Sequence, residues 1–238
     1  MGIKAVLFDL DGTLLPMDLD EFVEKYLASL AKKMVNYGYA PKEIVGAIWK
    51  GTSAMIENDG KATNEVVFWN EFAKIFGENS RKDEPLFDEF YRNEFADIKE
   101  ICGYNENAAA IVRSLKNSGI PVVLATSPIF PEVATKSRMN WAGLDTEDFD
   151  FYTTYENCRY TKPNVKYYED VAEKLGLKPE ECLMVGNDVG DDMVAANIGM
   201  KVFLLTDYLI NKNEVDISNY PNGGYQELIK FLKIENLI

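Results

Sequence analysis

Ala5-Val6-Leu7-Phe8-Asp9-Leu10-Asp11-Gly12-Thr13-Leu14-Leu15 decides how the rest of the chain is read. The apolar run from Ile3 to Phe8 is too short for a core helix and carries Val and Phe, so it predicts a buried strand. Asp9 and Asp11 then stand at the carboxyl end of that strand, where open α/β sheets hold their ligands. Gly12 permits a sharp backbone turn there. Side chains two apart on extended backbone point the same way, so both carboxylates can reach one small volume. Two anions so close repel each other, and a bound cation is the usual remedy. The competing reading is a strand ending in a polar turn, with Asp and Gly chosen for turn geometry alone.

The 238 residues suffice for one large domain, or for a core with a smaller insert. With 47% hydrophobic residues a sizeable core is possible. The net charge of −14 repels a phosphate backbone, which argues against nucleic acid and anionic membrane as partners. No apolar run reaches the length of a membrane span, and Met1-Gly2-Ile3-Lys4 passes straight into the first strand without room for a signal peptide. Cys102, Cys158 and Cys182 are scattered and odd in number, as expected of reduced thiols in a cytoplasmic protein. There is no histidine. Serine–histidine and cysteine–histidine catalysis are therefore excluded, and acid–base chemistry must come from carboxylates, lysine, tyrosine or metal-bound water.

After Leu15 the pattern is helical for about eighty residues. Asp18-Leu19-Asp20-Glu21 has the acidic start of a helix, and Phe22, Tyr26, Leu27, Leu30 and Met34 follow at helical spacing. Further helices are predicted from Pro41, from Asn64 to Phe76, and around Leu86 to Phe95. Their aromatics read as the core of a helical bundle rather than a cofactor box. From Asn105 onward helices and strands alternate. Strands are predicted at 120–125, 150–154, 182–185 and 201–205, with helices at 105–117, from Pro131, at 163–175, at 191–198 and near 225–233. Repeated βα units imply a mainly parallel sheet with helices on both faces.

Three more polar clusters fall at element boundaries. Thr126-Ser127 ends an apolar strand, where a hydroxyl and free backbone N–H groups can hold phosphate oxygens, or simply turn the chain before Pro128. Lys162 precedes Pro163, which fits the first position of a helix, so its charge would add to an anion-favouring N-terminus unless it is an ordinary surface lysine. Gly186-Asn187-Asp188-Val189-Gly190-Asp191-Asp192 carries more carboxylates than capping needs, and such oxygen ligands suit Mg²⁺.

These four clusters, in this order and with a helical insert after the first strand, resemble the haloacid dehalogenase-like hydrolase superfamily, with an insert similar to its C1-type cap. The resemblance implies an α/β fold: a Rossmann-like, doubly wound, mainly parallel core over residues 1–15 and 100–238, and a helical cap over 16–99. It implies a Mg²⁺-dependent phosphatase acting on a small phosphorylated metabolite. Asp9 matches the nucleophile and Asp11 the general acid and base. Thr126 and Ser127 match the phosphate-binding loop, and Lys162 the lysine that pairs with nucleophile and phosphate. Asp188 matches the acidic motif completing a metal site with Asp9 and Asp11.

That last motif departs from the family pattern Gly-Asp-x-x-x-Asp. Asp188 and Asp192 keep the spacing but shift one place from Gly186, whereas aligning on the glycine selects Asn187 and Asp191. Asp188 is preferred because a carboxylate serves Mg²⁺ better than an amide, and Asp192 becomes a second ligand or a support behind it. The acid at Asp11 favours phosphatase or phosphomutase chemistry over dehalogenation. A mutase would need a cap group such as Lys50 to grip the rest of a sugar phosphate. A non-catalytic binding protein on the same fold is the third reading.

Overall fold

Val6 and Phe8 leave one face of the first strand and Ala5 and Leu7 the other, and the two pairs end in different hydrophobic cores. The computed structural model describes residues 2–238. Its strands are β1 (Ala5–Phe8), β2 (Val122–Leu124), β3 (Phe151–Tyr152), β4 (Cys182–Gly186), β5 (Lys201–Leu205) and β6 (Asn222–Gly223). All pair in parallel, in the order β3-β2-β1-β4-β5-β6. The winding reverses between β1 and β4, which puts a crevice at their carboxyl ends.

Helix α5 (Glu106–Asn117), α6 (Glu132–Trp141) and α8 (Tyr225–Ile234) pack on the face that holds Val6 and Phe8. Helix α7 (Val165–Lys174) and a 3₁₀ segment, Met193–Ile198, cover the other. Between β1 and α5 come α1 (Leu19–Val35), α2 (Pro41–Ile56), α3 (Asn64–Phe76) and α4 (Glu84–Arg92), followed by a 3₁₀ stretch, Glu94–Ile101. Asp18 caps α1 by accepting the Glu21 N–H at 2.9 Å, and α1 ends with Lys32 and Lys33 facing its negative pole. The aromatics of these helices pack edge-on against one another, as Phe22 does with Phe95 and Trp69 with Phe87. They join the sheet's own core through Phe130 and Trp141.

Two features fasten the helical segment to the sheet. Gly103 N–H donates to the Pro16 carbonyl at 2.7 Å, and a Cβ on Gly103 would lie 2.9 Å from Pro16 Cβ, so only glycine lets the outgoing and returning chains touch. Asn64, fully buried, donates from Nδ2 to the Pro128 carbonyl at 3.0 Å and accepts from Asn58 Nδ2 at 2.9 Å. Helix α3 thereby anchors beside the loop that follows Ser127.

Two expectations change, and one strand has no counterpart among them. Residues 191–198 are not one helix: a turn precedes the 3₁₀ segment, because the Asp192 side chain turns inward to Lys162 and to its own loop. Pro163 is not the first helical residue; Asn164 is the cap, accepting the Lys166 N–H at 3.1 Å, and α7 begins at Val165. Strand β6 has two residues without apolar alternation, which leaves no periodic signal in the sequence.

Asn64→Ala removes a buried donor and leaves the Pro128 carbonyl unpaired. It should cost about 1–3 kcal/mol in urea unfolding. An unchanged midpoint would contradict the anchoring role.

Candidate active site

Asp9 follows β1 directly, its N–H held by the Val185 carbonyl at 2.9 Å, so the main chain of β4 sets where its side chain starts. Its Oδ1 accepts from Lys162 Nζ at 2.7 Å. The same ammonium donates to Asp192 Oδ1 at 2.6 Å, and Lys162 is only 3% exposed. Asp192 Oδ2 accepts the Asp188 N–H at 3.0 Å. One buried lysine thus ties the ends of β1 and β4 together. A Cβ on Gly186 would stand 2.1 Å from Asp192 Oδ2, so the glycine lets that carboxylate fold back over the strand end.

Asp11 lies two residues on and has a different counter-charge. Its Oδ2 accepts from Nη1 of Arg138, a completely buried residue of α6. The guanidinium lies 4.4 Å from the Phe130 ring centroid. Asp11 Oδ1 is buried and accepts no hydrogen bond among the described residues, and Arg138 Nη2 is likewise unpaired. The two carboxylates that sequence alone leaves repelling each other are therefore separated onto two cations. Arg138 is the residue sequence reasoning missed: one arginine in α6 reads as a surface side chain until the fold turns it inward.

Asn187 and Asp188, the two alternatives that the ambiguous alignment leaves open, differ in their contacts. Asn187 Oδ1 accepts from Thr13 Oγ1 at 2.9 Å, and its Nδ2 donates to the Tyr208 carbonyl at 2.7 Å. It braces the loop after Asp11 against the loop after β5. Gly12, at φ +82°, passes so close that a Cβ would meet Asn187 Nδ2 at 2.3 Å. Asp188 Oδ1 accepts the N–H groups of Gly190 (2.7 Å) and Asp191 (3.0 Å), which leaves Oδ2 without a protein donor.

Thr126 sits at the end of β2. Its carbonyl accepts from Thr153 Oγ1 at 2.6 Å and Tyr167 OH at 2.9 Å, which sets the path of the Thr126-Ser127 turn. Asp9, Asp11, Thr126, Ser127, Lys162, Asn187, Asp188 and Asp192 all line one cavity of about 640 Å³. Residues of α1 and α2 complete much of the lining. Lys50 is not part of that lining.

Burial pushes the Asp9 carboxyl up to about 7; Lys162 pulls it down, and Asp192 and Asp11 add to the rise. Burial also raises Asp11, against the opposing charges of Arg138 and Lys162. Burial works against the charge of Lys162, but Asp192 and Asp9 more than offset it and hold the amine well above its ordinary value.

The donors left over are oxygens: Asp9 Oδ2, Asp188 Oδ2 and the Asp11 main-chain carbonyl, none of which accepts a hydrogen bond from the described residues. This hard set fits Mg²⁺. Among the described residues no three carboxylate, cysteine or histidine side chains form a ready-made metal cage.

The sequence profile of the haloacid dehalogenase-like hydrolases matches residues 3–199, and the chain belongs to that family. It is an enzyme, a hydrolase on the Rossmann-like α/β core that the family shares. Hexitol phosphatase A of Escherichia coli is 27% identical over 237 residues, covering 94% of this chain and 98% of its own. Glyceraldehyde 3-phosphate phosphatase of Methanothermobacter thermautotrophicus is 25% identical, covering 91% and 94%. Among solved structures, a HAD phosphatase from Thermococcus onnurineus superposes with a TM-score of 0.57 at 22% identity, over 97% of this chain and 98% of its own. A HAD family hydrolase from Deinococcus radiodurans R1 with bound phosphate and sodium gives 0.58 at 18% identity, over 99% and 97%. No helix among the described residues is long and apolar enough to cross a membrane.

Two outcomes follow from the charge arrangement. Arg138→Met strands Asp11 against a buried apolar surface and should cost about 3–5 kcal/mol in urea unfolding, part of which Asp11→Asn in the same chain restores. In EDTA, the folded protein retains a proton on Asp9 that the unfolded chain has released. The stability tied to that proton is present below the ordinary 3.8 and is lost as pH rises through about 7. Thermal melts of Asp9→Asn in EDTA should lose less stability than wild type from pH 4 to 8. Parallel profiles would contradict the raised carboxyl.

Proposed function

We propose that this hydrolase is a Mg²⁺-dependent phosphatase that cleaves small phosphomonoesters through an aspartyl-phosphate. The observation that supports it most directly is the pairing at the end of β1. Asp9 has one oxygen held by Lys162 and the other free toward the cavity, and Asp11 beside it has its own cation and one free oxygen.

The Asp9 carboxylate attacks phosphorus in line, and the bond from phosphorus to the ester oxygen breaks. Asp11 gives its proton to that leaving oxygen. Asp11, now ionised, then takes a proton from water. The water attacks the aspartyl-phosphate, inorganic phosphate departs and Asp9 is restored. Lys162 fixes the orientation of Asp9 and offsets charge on the phosphoryl oxygens, and the Thr126-Ser127 turn receives the phosphoryl group. Asp192 acts from behind, since both its oxygens are already bonded to Lys162 and the Asp188 N–H. Asp9, Asp188 and the Asp11 carbonyl would hold Mg²⁺, which when bound supplies positive charge to the same oxygens.

Residues 16–99 serve as a C1-type cap, with α1 and α2 closing the cavity over the substrate and excluding water. Mutase chemistry is disfavoured because the helical wall of the cavity contains no basic side chain among the described residues to grip a second phosphate. The relatives named as phosphatases point the same way.

Phosphate release from a panel of phosphorylated metabolites tests the reading. Turnover should require Mg²⁺ and vanish in Asp9→Asn. Asp11→Asn should slow alkyl phosphates by about 10²–10⁴-fold, whereas acetyl phosphate, whose leaving group needs little protonation, should still phosphorylate Asp9 and stall at the aspartyl-phosphate, because the water-activating base is gone. Activity that survives EDTA, or survives Asp9→Asn, would overturn it.

A further inference from the structure

The helical wall of the cavity has an unusual composition for a phosphatase that handles polyanionic metabolites. Helix α1 contributes Leu19, Asp20, Val23, Glu24 and Leu27, and helix α2 contributes Trp49, Thr52 and Ile56. Leu19, Trp49 and Ile56 are large apolar side chains left 36%, 51% and 48% exposed. They are not scattered over the surface but share this one cavity, and apolar side chains gathered in that way mark a ligand surface. Asp20 and Glu24 stand one helical turn apart, and neither forms an ion pair or side-chain hydrogen bond among the described residues. The basic residues lining the whole cavity are Lys162, already shared by Asp9 and Asp192, and Lys212 on the loop after β5.

Among the described residues the helical wall itself therefore carries two free carboxylates and no cation, and the unpaired Lys212 lies apart from it on the loop after β5. A second phosphate or a carboxylate on the substrate would meet two free carboxylates there and no free cation on the helical wall. A positively charged nitrogen would meet both carboxylates and an exposed indole, the pairing that aromatic cation sites use. We infer that the substrate is the phosphate ester of an amino alcohol: an apolar or aromatic body that covers Leu19, Trp49 and Ile56, with an ammonium group placed between Asp20 and Glu24. This rests on the phosphatase reading and narrows it to a class with no second anion.

A matched set of esters separates the two claims: 4-(aminomethyl)phenyl phosphate, phenyl phosphate and 4-carboxyphenyl phosphate, assayed on the full chain with Mg²⁺. The expected order of kcat/KM is ammonium above neutral above carboxylate, by about tenfold per step and mostly in KM. In Asp20→Asn/Glu24→Gln the ratio between the ammonium and carboxylate esters should fall at least tenfold. In Asp20→Lys/Glu24→Lys it should invert. Trp49→Ala should raise KM for the ammonium ester more than for acetyl phosphate, which has no body to cover the indole. If wild type hydrolyses the esters but treats the three alike or prefers the carboxylate, this inference fails and the phosphatase reading stands. A preference for the ammonium ester that survives both charge variants also overturns it. If wild type hydrolyses none of the esters and no acetyl phosphate, both fall.

Discussion

The ammonium of Lys162, buried between Asp9 and Asp192, is the contact on which the rest of the site depends. A charged lysine out of water is costly unless its protons are used, and here two carboxylates at 2.7 and 2.6 Å take them. That demand reaches back into the chain. Asp192 must fold inward, so Gly186 has no side chain and residues 191–198 cannot continue as a regular helix. Asp9 must present one oxygen to the lysine, which leaves the other for the cavity. The same triad joins the carboxyl ends of β1 and β4, where the winding of the sheet reverses.

Arg138 solves the second half of the problem. Asp11 is close enough to raise the proton affinity of Asp9, and a single lysine cannot neutralise both. A guanidinium reaching in from α6 and resting on Phe130 takes Asp11. Arginine suits this place because its charge survives burial and its flat face packs on an aromatic ring. The arrangement divides labour between two adjacent acids: the one on the lysine keeps an oxygen toward the cavity, and the one on the arginine keeps an oxygen with no partner. Asn187 contributes by holding the Thr13 turn and the Tyr208 loop, so the backbone between these acids and the last strands has little freedom.

The helical segment is joined to the sheet at both of its crossings and again through Asn64 beside the Pro128 carbonyl. The wall it presents is therefore held in register with the Thr126-Ser127 turn. On the proposed reading chemistry and selectivity are physically separate: the groups that would handle phosphorus come from strand ends, and the surface for the remainder of a substrate from α1 and α2. Separation of this kind lets one set of strand ends serve many leaving groups by changing helix faces alone.

Asp9-Leu10-Asp11-Gly12-Thr13 after a short apolar run carries its own meaning, because strand geometry and turn geometry act over a few neighbouring residues. The alternation after Asn105, the helical run after Leu15 and the absence of histidine are local in the same sense. They were enough for a parallel α/β sheet, a helical segment after the first strand and a pair of carboxylates at the end of β1. Thr126, Lys162 and Asp188 were legible as clusters at element boundaries. What was not legible involves partners more than a hundred positions apart, or side chains whose direction depends on packing. Arg138 meets Asp11 across 127 positions and Asn187 meets Thr13 across 174. Which oxygens of Asn187 and Asp188 other loops have already taken is visible only in the fold, and the face that Asp20, Glu24 and Trp49 share exists only once α1 and α2 lie over the strand ends. Local periodicity specifies elements; burial and charge pairing between distant elements decide which of their side chains meet, and that is settled only when the chain has closed on itself.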